Sequence, residues 1–179
     1  PLDHPDNRGN RRYFTIASGP TGREVRMGVK FYDRSSAFKR DLATMQPGDQ
    51  IVASQLAGNF VLPSDRDKKL CFIAGGIGIT PFRSMLKYML DEHEKRDVVL
   101  LYGNATLDDI AYEDVLIDCQ RQLGIPTYHA VLEPSAKRQG VFQGLIDEGL
   151  IRRCVPDCRE RTFYISGPQP MVLAHRRFL

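Results

Sequence analysis

The stretch KLCFIAGGIGITPF, residues 69–82, holds the turn on which the reading of this chain depends. KLCFIA is an apolar strand that runs directly into Gly75, Gly76, Ile77, Gly78, Ile79, Thr80 and Pro81. Beyond it Phe82, Met85, Leu86, Met89 and Leu90 recur at the spacing of one helix face. Glycines therefore stand where strand becomes helix. At such a junction the missing side chains let a diphosphate approach the backbone, and the N–H groups and dipole of the helix N-terminus attract its charge. Thr80 is suited to cap the helix and Pro81 to its first turn. A tight turn without a ligand would use the same glycines, so the motif is weak when taken alone. It departs from G-x-G-x-x-G, because Pro81 holds the third glycine place, and the next strand ends in Gly103 and Asn104 instead of an acidic ribose ligand. An ordinary dinucleotide dehydrogenase is disfavoured.

Downstream of this turn the chain keeps one rhythm. DVVLLYGN, IAYEDVLIDCQRQLG, PTYHAVLEP, GLIDEGLIRRCV, RTFYISGP and PMVLAHRRFL alternate strand and helix patterns, which implies a parallel sheet flanked by helices. Upstream the punctuation changes. RYFTIAS, a GPTG turn and EVRMGVKFY, with Val25, Met27, Val29 and Phe31 alternating, predict a hairpin. SAFKRDLATM places Phe38, Leu42 and Met45 at helical spacing, and QIVASQLAG follows as another strand. The polar segment PSDRDK, residues 63–68, is the expected boundary, giving units 1–67 and 68–179.

The 179 residues are 42% hydrophobic and 26% charged, within the range of globular proteins, so disorder, collagen and coiled coil are disfavoured. A chain of this size buries roughly 70% of its unfolded surface and needs no staple. The net charge of +3, with arginine pairs only at 11–12, 152–153 and 176–177, gives no basic track for nucleic acid. Four scattered cysteines, of which only Cys154 and Cys158 are close, read as reduced thiols in a cytoplasm, and no metal site is expected. No apolar run approaches a membrane span.

A second set of residues corroborates the glycine turn. RYFT at 12–15, GGIGITP at 75–81 and SGP at 166–168 resemble, in order and spacing, the R-x-[FY]-[ST], G-G-x-G-x-T-P and C-G-P motifs of the ferredoxin-NADP reductase family of flavoproteins. With LYGN at 101–104 the resemblance runs from Arg11 to Met171. It implies an α/β chain: a partial antiparallel flavin-binding β-barrel, then a parallel-sheet, Rossmann-like NAD(P)-binding domain.

By that resemblance Arg12 would pair with the flavin phosphate, as a guanidinium fork suits two phosphate oxygens. Tyr13 belongs to the same cofactor strand, Phe14 would lie against the isoalloxazine, and Thr15 would bring its hydroxyl near flavin N5. Val29 and Lys30 match the next barrel strand, which contributes backbone contacts to the flavin. Ser35 and Ser36 match a pyrophosphate-binding turn, although Asp33 and Arg34 stand where relatives often have glycine, and a plain serine N-cap explains them nearly as well. Gly58 and Phe60 resemble the G-x-F near the nicotinamide. In the nucleotide half the implied contacts are Gly75, Gly76, Gly78, Thr80, Pro81, Asn104, Gly167, Pro168 and Met171. Ser166 stands where many relatives carry cysteine, so a hydroxyl would orient the nicotinamide. Thr15 and Ser166 are thus the candidate catalytic residues.

Asn104 and the Leu132, Glu133, Pro134 run lean towards NADH, while Lys137 and Arg138 nearby could reverse that preference. A pyrophosphate turn favours FAD over FMN. Few residues precede RYFT and the aromatic last strand is not found, so the barrel is expected to be open, completed by another chain, or cut, and the chain reads as a fragment. No C-x4-C-x2-C run is present, and the electron acceptor is expected to be external: an iron-sulfur protein or a membrane redox partner. The expected activity is hydride transfer from NADH or NADPH to flavin, then single electrons to that acceptor. The other reading is a relay or regulatory subunit that keeps the fold without accepting hydride. The expected location is cytoplasmic, either free or as the cytoplasmic-side module of a membrane-attached protein.

Overall fold

The computed structural model describes residue 7 and residues 11–135 and 138–177. Its centre is the strand read from the sequence, β1 (Leu70–Gly75), buried along its whole length. Burial on both faces is the signature of a parallel sheet covered by helices. The partners of β1 are β2 (Val98–Asn104) and β5 (Thr162–Ser166), and β3 (Thr127–Val131) and β4 (Val141–Gln143) extend the sheet beyond β2 in the order β4-β3-β2-β1-β5. Every pairing is parallel.

Alternation along β1 divides the core in two. Leu70, Phe72 and Ala74 face α2 (Thr80–Asp91) and α3 (Glu113–Leu123), where Phe72 stacks on Phe82 with ring centroids 4.7 Å apart. Cys71 and Ile73 face the other side, packed with Leu150 and Ile151 of α4 (Glu148–Cys154). Helix α5 (Gln169–His175) follows β5. The four thiols are free, and burial pushes Cys71 and Cys119 up to about 12, which keeps them as unreactive thiols. Among the described residues no helix is long and apolar enough to cross a membrane.

Upstream of β1 the expectation of barrel strands is corrected. In residues 11–69 strand pairing reduces to one antiparallel bridge, Ile16 to Met27, with Ala17 N–H donating to the Arg26 carbonyl at 2.7 Å. The expected strand QIVASQLAG is irregular chain without ladder bonds, broken by positive φ at Gln55 and Gly58, and Val52 and Leu56 are more than nine-tenths exposed. The reason is physical: alternation decides which side chains share a face, but a ladder also needs partner strands, and a two-stranded hairpin alone is marginal. Only α1 (Ala37–Thr44) is regular, begun by Ser36, whose hydroxyl accepts from Lys39 N–H at 3.4 Å.

This segment is nevertheless fastened to the sheet domain. Arg83 of α2, itself buried, donates from its guanidinium to the Ala17 carbonyl at 2.6 Å, and Ser84 donates to the Ser18 carbonyl at 2.7 Å. The Phe60 ring packs edge-on against Phe82 and Tyr164, at 5.6 and 5.2 Å, and the Tyr164 hydroxyl donates to the Val61 carbonyl.

Candidate functional site

The chain reverses its direction of travel across the sheet at β1: β2, β3 and β4 lie to one side of it and β5 to the other. Side chains and loops at the carboxyl ends of strands beside such a switch point form a crevice, the usual ligand site of open α/β sheets. The crevice here is a cavity of about 950 Å³. Its floor is the glycine turn after β1 and the SGP turn after β5, and its far wall is the segment that carries RYFT and GVK.

Two glycines explain the floor. Gly76 has φ +50°, a backbone state that side chains disfavour, and it opens the short 3₁₀ turn Gly76–Ile79 leading into α2. Gly78 is required for space, since a Cβ there would lie 2.3 Å from the Ser166 carbonyl oxygen. The two motif turns are thus packed backbone to backbone. Pro81 sits in the first turn of α2 as expected, but Thr80 does not cap it: Ile79 is the N-cap, and the Thr80 hydroxyl donates to the Ile77 carbonyl at 2.8 Å.

Of the residues singled out in the sequence, Tyr13, Phe14, Thr15, Val29, Lys30, Gly75, Gly76, Gly78, Thr80, Asn104, Ser166, Gly167, Pro168 and Met171 all line this cavity. Arg12, Ser35, Ser36, Gly58, Phe60 and Pro81 are outside its lining. Arg12 lies 5.6 Å from the Phe38 ring centroid and donates to its neighbour's carbonyl, Arg11 O, at 2.7 Å. The Ser35 hydroxyl closes a local turn with Tyr32, and Phe60 is a packing residue. Lys137 lies outside the described residues.

Polar groups are few and distinctive. Asn104 is buried, yet neither its amide oxygen nor its amide nitrogen has a hydrogen-bond partner among the described residues. Lys30 donates to Asp109 at 2.5 Å, and that contact holds the Asp109 carboxyl below its ordinary value. Lys39 and Tyr32 complete the same wall. Asp109, Tyr32 and Lys39 were not singled out in the sequence. A lysine in an amphipathic helix reads as solvent-facing, and its neighbour Phe38 in sequence does not share its face, so nothing in the sequence marked Lys39. Arg138 pairs with Glu113 beside a separate cavity of about 240 Å³ lined by Thr127 and His129. Burial, with the Arg138 charge, pushes the His129 imidazole below its usual range.

Comparison with known proteins agrees with this geometry. A family model described as the oxidoreductase NAD-binding domain matches residues 72–177. The reductase component of propane 2-monooxygenase from Rhodococcus jostii (strain RHA1) is 30% identical over 129 residues, covering 70% of this chain and 35% of that protein. An NADPH oxidoreductase of Mycobacterium tuberculosis (strain ATCC 25618 / H37Rv) is 29% identical over 168 residues, 92% of this chain and 42% of that protein. The chain therefore spans less than half the length of these relatives. Among solved structures, the Amycolatopsis cytochrome P450 reductase GcoB superposes with a TM-score of 0.79 at 21% identity, over 97% of this chain and 53% of that one. The FAD/NAD binding domain of nitric oxide dioxygenase from Vibrio cholerae O1 biovar El Tor gives 0.78 at 18% identity, over 97% and 74%. These two likenesses show the fold. A parallel sheet with its glycine turn at the switch point, matched by a family model that begins within β1, makes this chain a member of the oxidoreductase NAD-binding domain family.

Proposed function

We propose that the chain is the core of a flavin-dependent NAD(P)H oxidoreductase, in which FAD and a nicotinamide nucleotide share the cavity and electrons leave to an external acceptor. The observation that carries this reading is that RYFT, GGIGIT and SGP, far apart in sequence, contribute to the lining of one cavity. The residues present suit the groups. A volume of about 950 Å³ admits large ligands, the floor offers bare backbone at Gly76, and Asn104 holds an unpaired amide in the lining.

When bound, the flavin supplies a hydride acceptor at N5 and passes electrons on singly. The roles of the protein groups follow from their places. Thr15, exposed on the wall, would donate its hydroxyl to the ring system, and Phe14, supported by Phe38 at 5.9 Å, would wall it. The N-terminal end of α2 would attract the diphosphate of the nicotinamide nucleotide. Ser166, in place of a thiol, would orient the nicotinamide by hydrogen bonding. Residues 1–67 would then serve the flavin and 68–179 the nucleotide. NADH is favoured over NADPH, because Arg138 is taken up by Glu113 outside this cavity and Leu132 and Asn104 bring no charge to meet a 2′-phosphate.

An anaerobic visible spectrum of the protein reconstituted with FAD tests this, before and after NADH and then NADPH. The expected result is rapid bleaching by NADH and slower bleaching by NADPH. A bound flavin that neither nucleotide bleaches would replace the reductase with the relay reading, and failure to bind flavin would remove the role given to RYFT.

A further inference from the structure

Two ammonium groups line the cavity on the wall formed by the N-terminal segment, and their charges are met differently. Lys30 donates to the Asp109 carboxylate at 2.5 Å and is neutralised there. Lys39 has no carboxylate partner among the described residues. Its ammonium donates to the Lys30 carbonyl at 2.6 Å and lies 5.2 Å from the centroid of the Tyr32 ring. An ammonium has three donors, and one carbonyl uses one of them. What remains is a half-buried cation with spare donors, held in place by a carbonyl and a ring face, on the wall of a ligand cavity. Spare ammonium donors on a cavity wall suit an anionic ligand, and no carboxylate among the described residues is paired with them.

Arg12, the residue that resemblance makes the phosphate clamp, is outside the cavity lining and bonded to its own neighbour's carbonyl. We infer that Lys39 is the cationic ligand for the phosphate of the bound flavin in this protein. The inference rests on the flavin reading proposed above. Flavin phosphate is preferred to the diphosphate of the nicotinamide nucleotide because Lys39 belongs to α1, whose Phe38 packs against Phe14 beside Thr15, whereas the glycine turn belongs to the sheet. Asp109 supports the arrangement by cancelling Lys30, so that the two ammonium groups do not repel each other beside Tyr32.

The test compares dissociation constants of FAD and riboflavin for the wild type, Lys39→Met, Lys39→Arg and Arg12→Ala, measured by quenching of flavin fluorescence. Lys39→Met is expected to weaken FAD about ten- to hundredfold, the scale of one charge-assisted hydrogen bond, and to leave riboflavin within about twofold. Lys39→Arg should restore much of the loss. Equal losses for FAD and riboflavin, or a selective loss in Arg12→Ala and not in Lys39→Met, would overturn the assignment. Selective loss of ADP-ribose in Lys39→Met, with FAD unaffected, would do so as well. Should Lys39→Met fail to fold, the wild type decides: added salt must weaken FAD and spare riboflavin. A calorimetric titration with inorganic pyrophosphate separates the two ideas. A wild type that takes up no flavin, but binds pyrophosphate in a Lys39-dependent way, removes the flavin reading and keeps the anion site. Pyrophosphate binding that is absent, or unchanged by Lys39→Met, removes the lysine.

Discussion

Gly76 and Gly78 stand two positions apart in one turn and are needed for opposite reasons, so substitution separates them. At Gly76 a Cβ would meet nothing within 4 Å, and the cost of alanine is the left-handed backbone alone, about 1–2 kcal/mol. At Gly78 the Cβ would press on the Ser166 carbonyl and on Gly167, which are backbone and cannot rotate away. Gly78→Ala should therefore cost at least the roughly 1–3 kcal/mol of an overpacked core and spread the two motif turns, weakening AMP binding as well as stability. Urea midpoints and AMP titrations on both variants check this; a Gly78→Ala protein with unchanged midpoint would mean that the two turns are not packed as described. The sequence announced this turn, because glycine is the one residue type whose presence itself reports a constraint. Asn104, too, was legible as a departure from the acidic ribose ligand. Lys39 was not, since its meaning depends on which carboxylates are near it in space, and adjacency in sequence says nothing of that.

Among the elements, those with a long periodic pattern or two buried faces could be read directly: β1, β2, β5, α2 and α3. Strand β4, three residues long, could not, because VFQ has no period to detect and exists by pairing with His129, Ala130 and Val131 of β3. The upstream strands failed the other way, with a clear alternation at Val25, Met27, Val29 and Phe31 but one bridge to show for it. What holds that segment over the cavity is α2 rather than a ladder. Arg83 reaches the Ala17 carbonyl, and its guanidinium carbon lies 4.9 Å from the centroid of the Tyr112 ring, a residue at φ 59°. Arg83→Leu removes both contacts and leaves the Ala17 carbonyl unpaired, a loss on the order of 1.5–3 kcal/mol for a buried bond to a charged group. The expected consequence is local: faster protease cleavage within residues 11–62 and weaker flavin binding, with the far-ultraviolet signature of the sheet domain retained. Cleavage at the wild-type rate would show that other contacts, such as Phe60, suffice.

The whole molecule has two poles. Its cavity opens at the carboxyl ends of the strands, while at their amino ends Lys69, Asp97, Asp157, Glu160 and Arg161 form a cluster beside the first residues of β1 and β5. Arg161 is the hub, bonding Asp157, Asp97 and the Leu70 carbonyl. The Arg161 guanidinium, joined by Lys69, holds the Asp157 carboxyl down to about 2. In the unfolded chain an aspartate titrates near about 3.9, so protonation there comes first as the pH falls. The folded state therefore gains from Asp157 in full above about pH 4, and loses that gain between about pH 4 and 2 as the folded carboxyl protonates. Thermal melts of the wild type and Asp157→Asn across this range should show a constant gap above about pH 5 that closes towards pH 2, where both chains carry a neutral group. AMP affinity at neutral pH should be the same in both proteins, since the cluster and the cavity lie at opposite edges of one rigid sheet. A gap that persists unchanged into acid would assign the effect of the substitution to packing instead of charge, and a fall in AMP affinity would show that the two edges are coupled through β1.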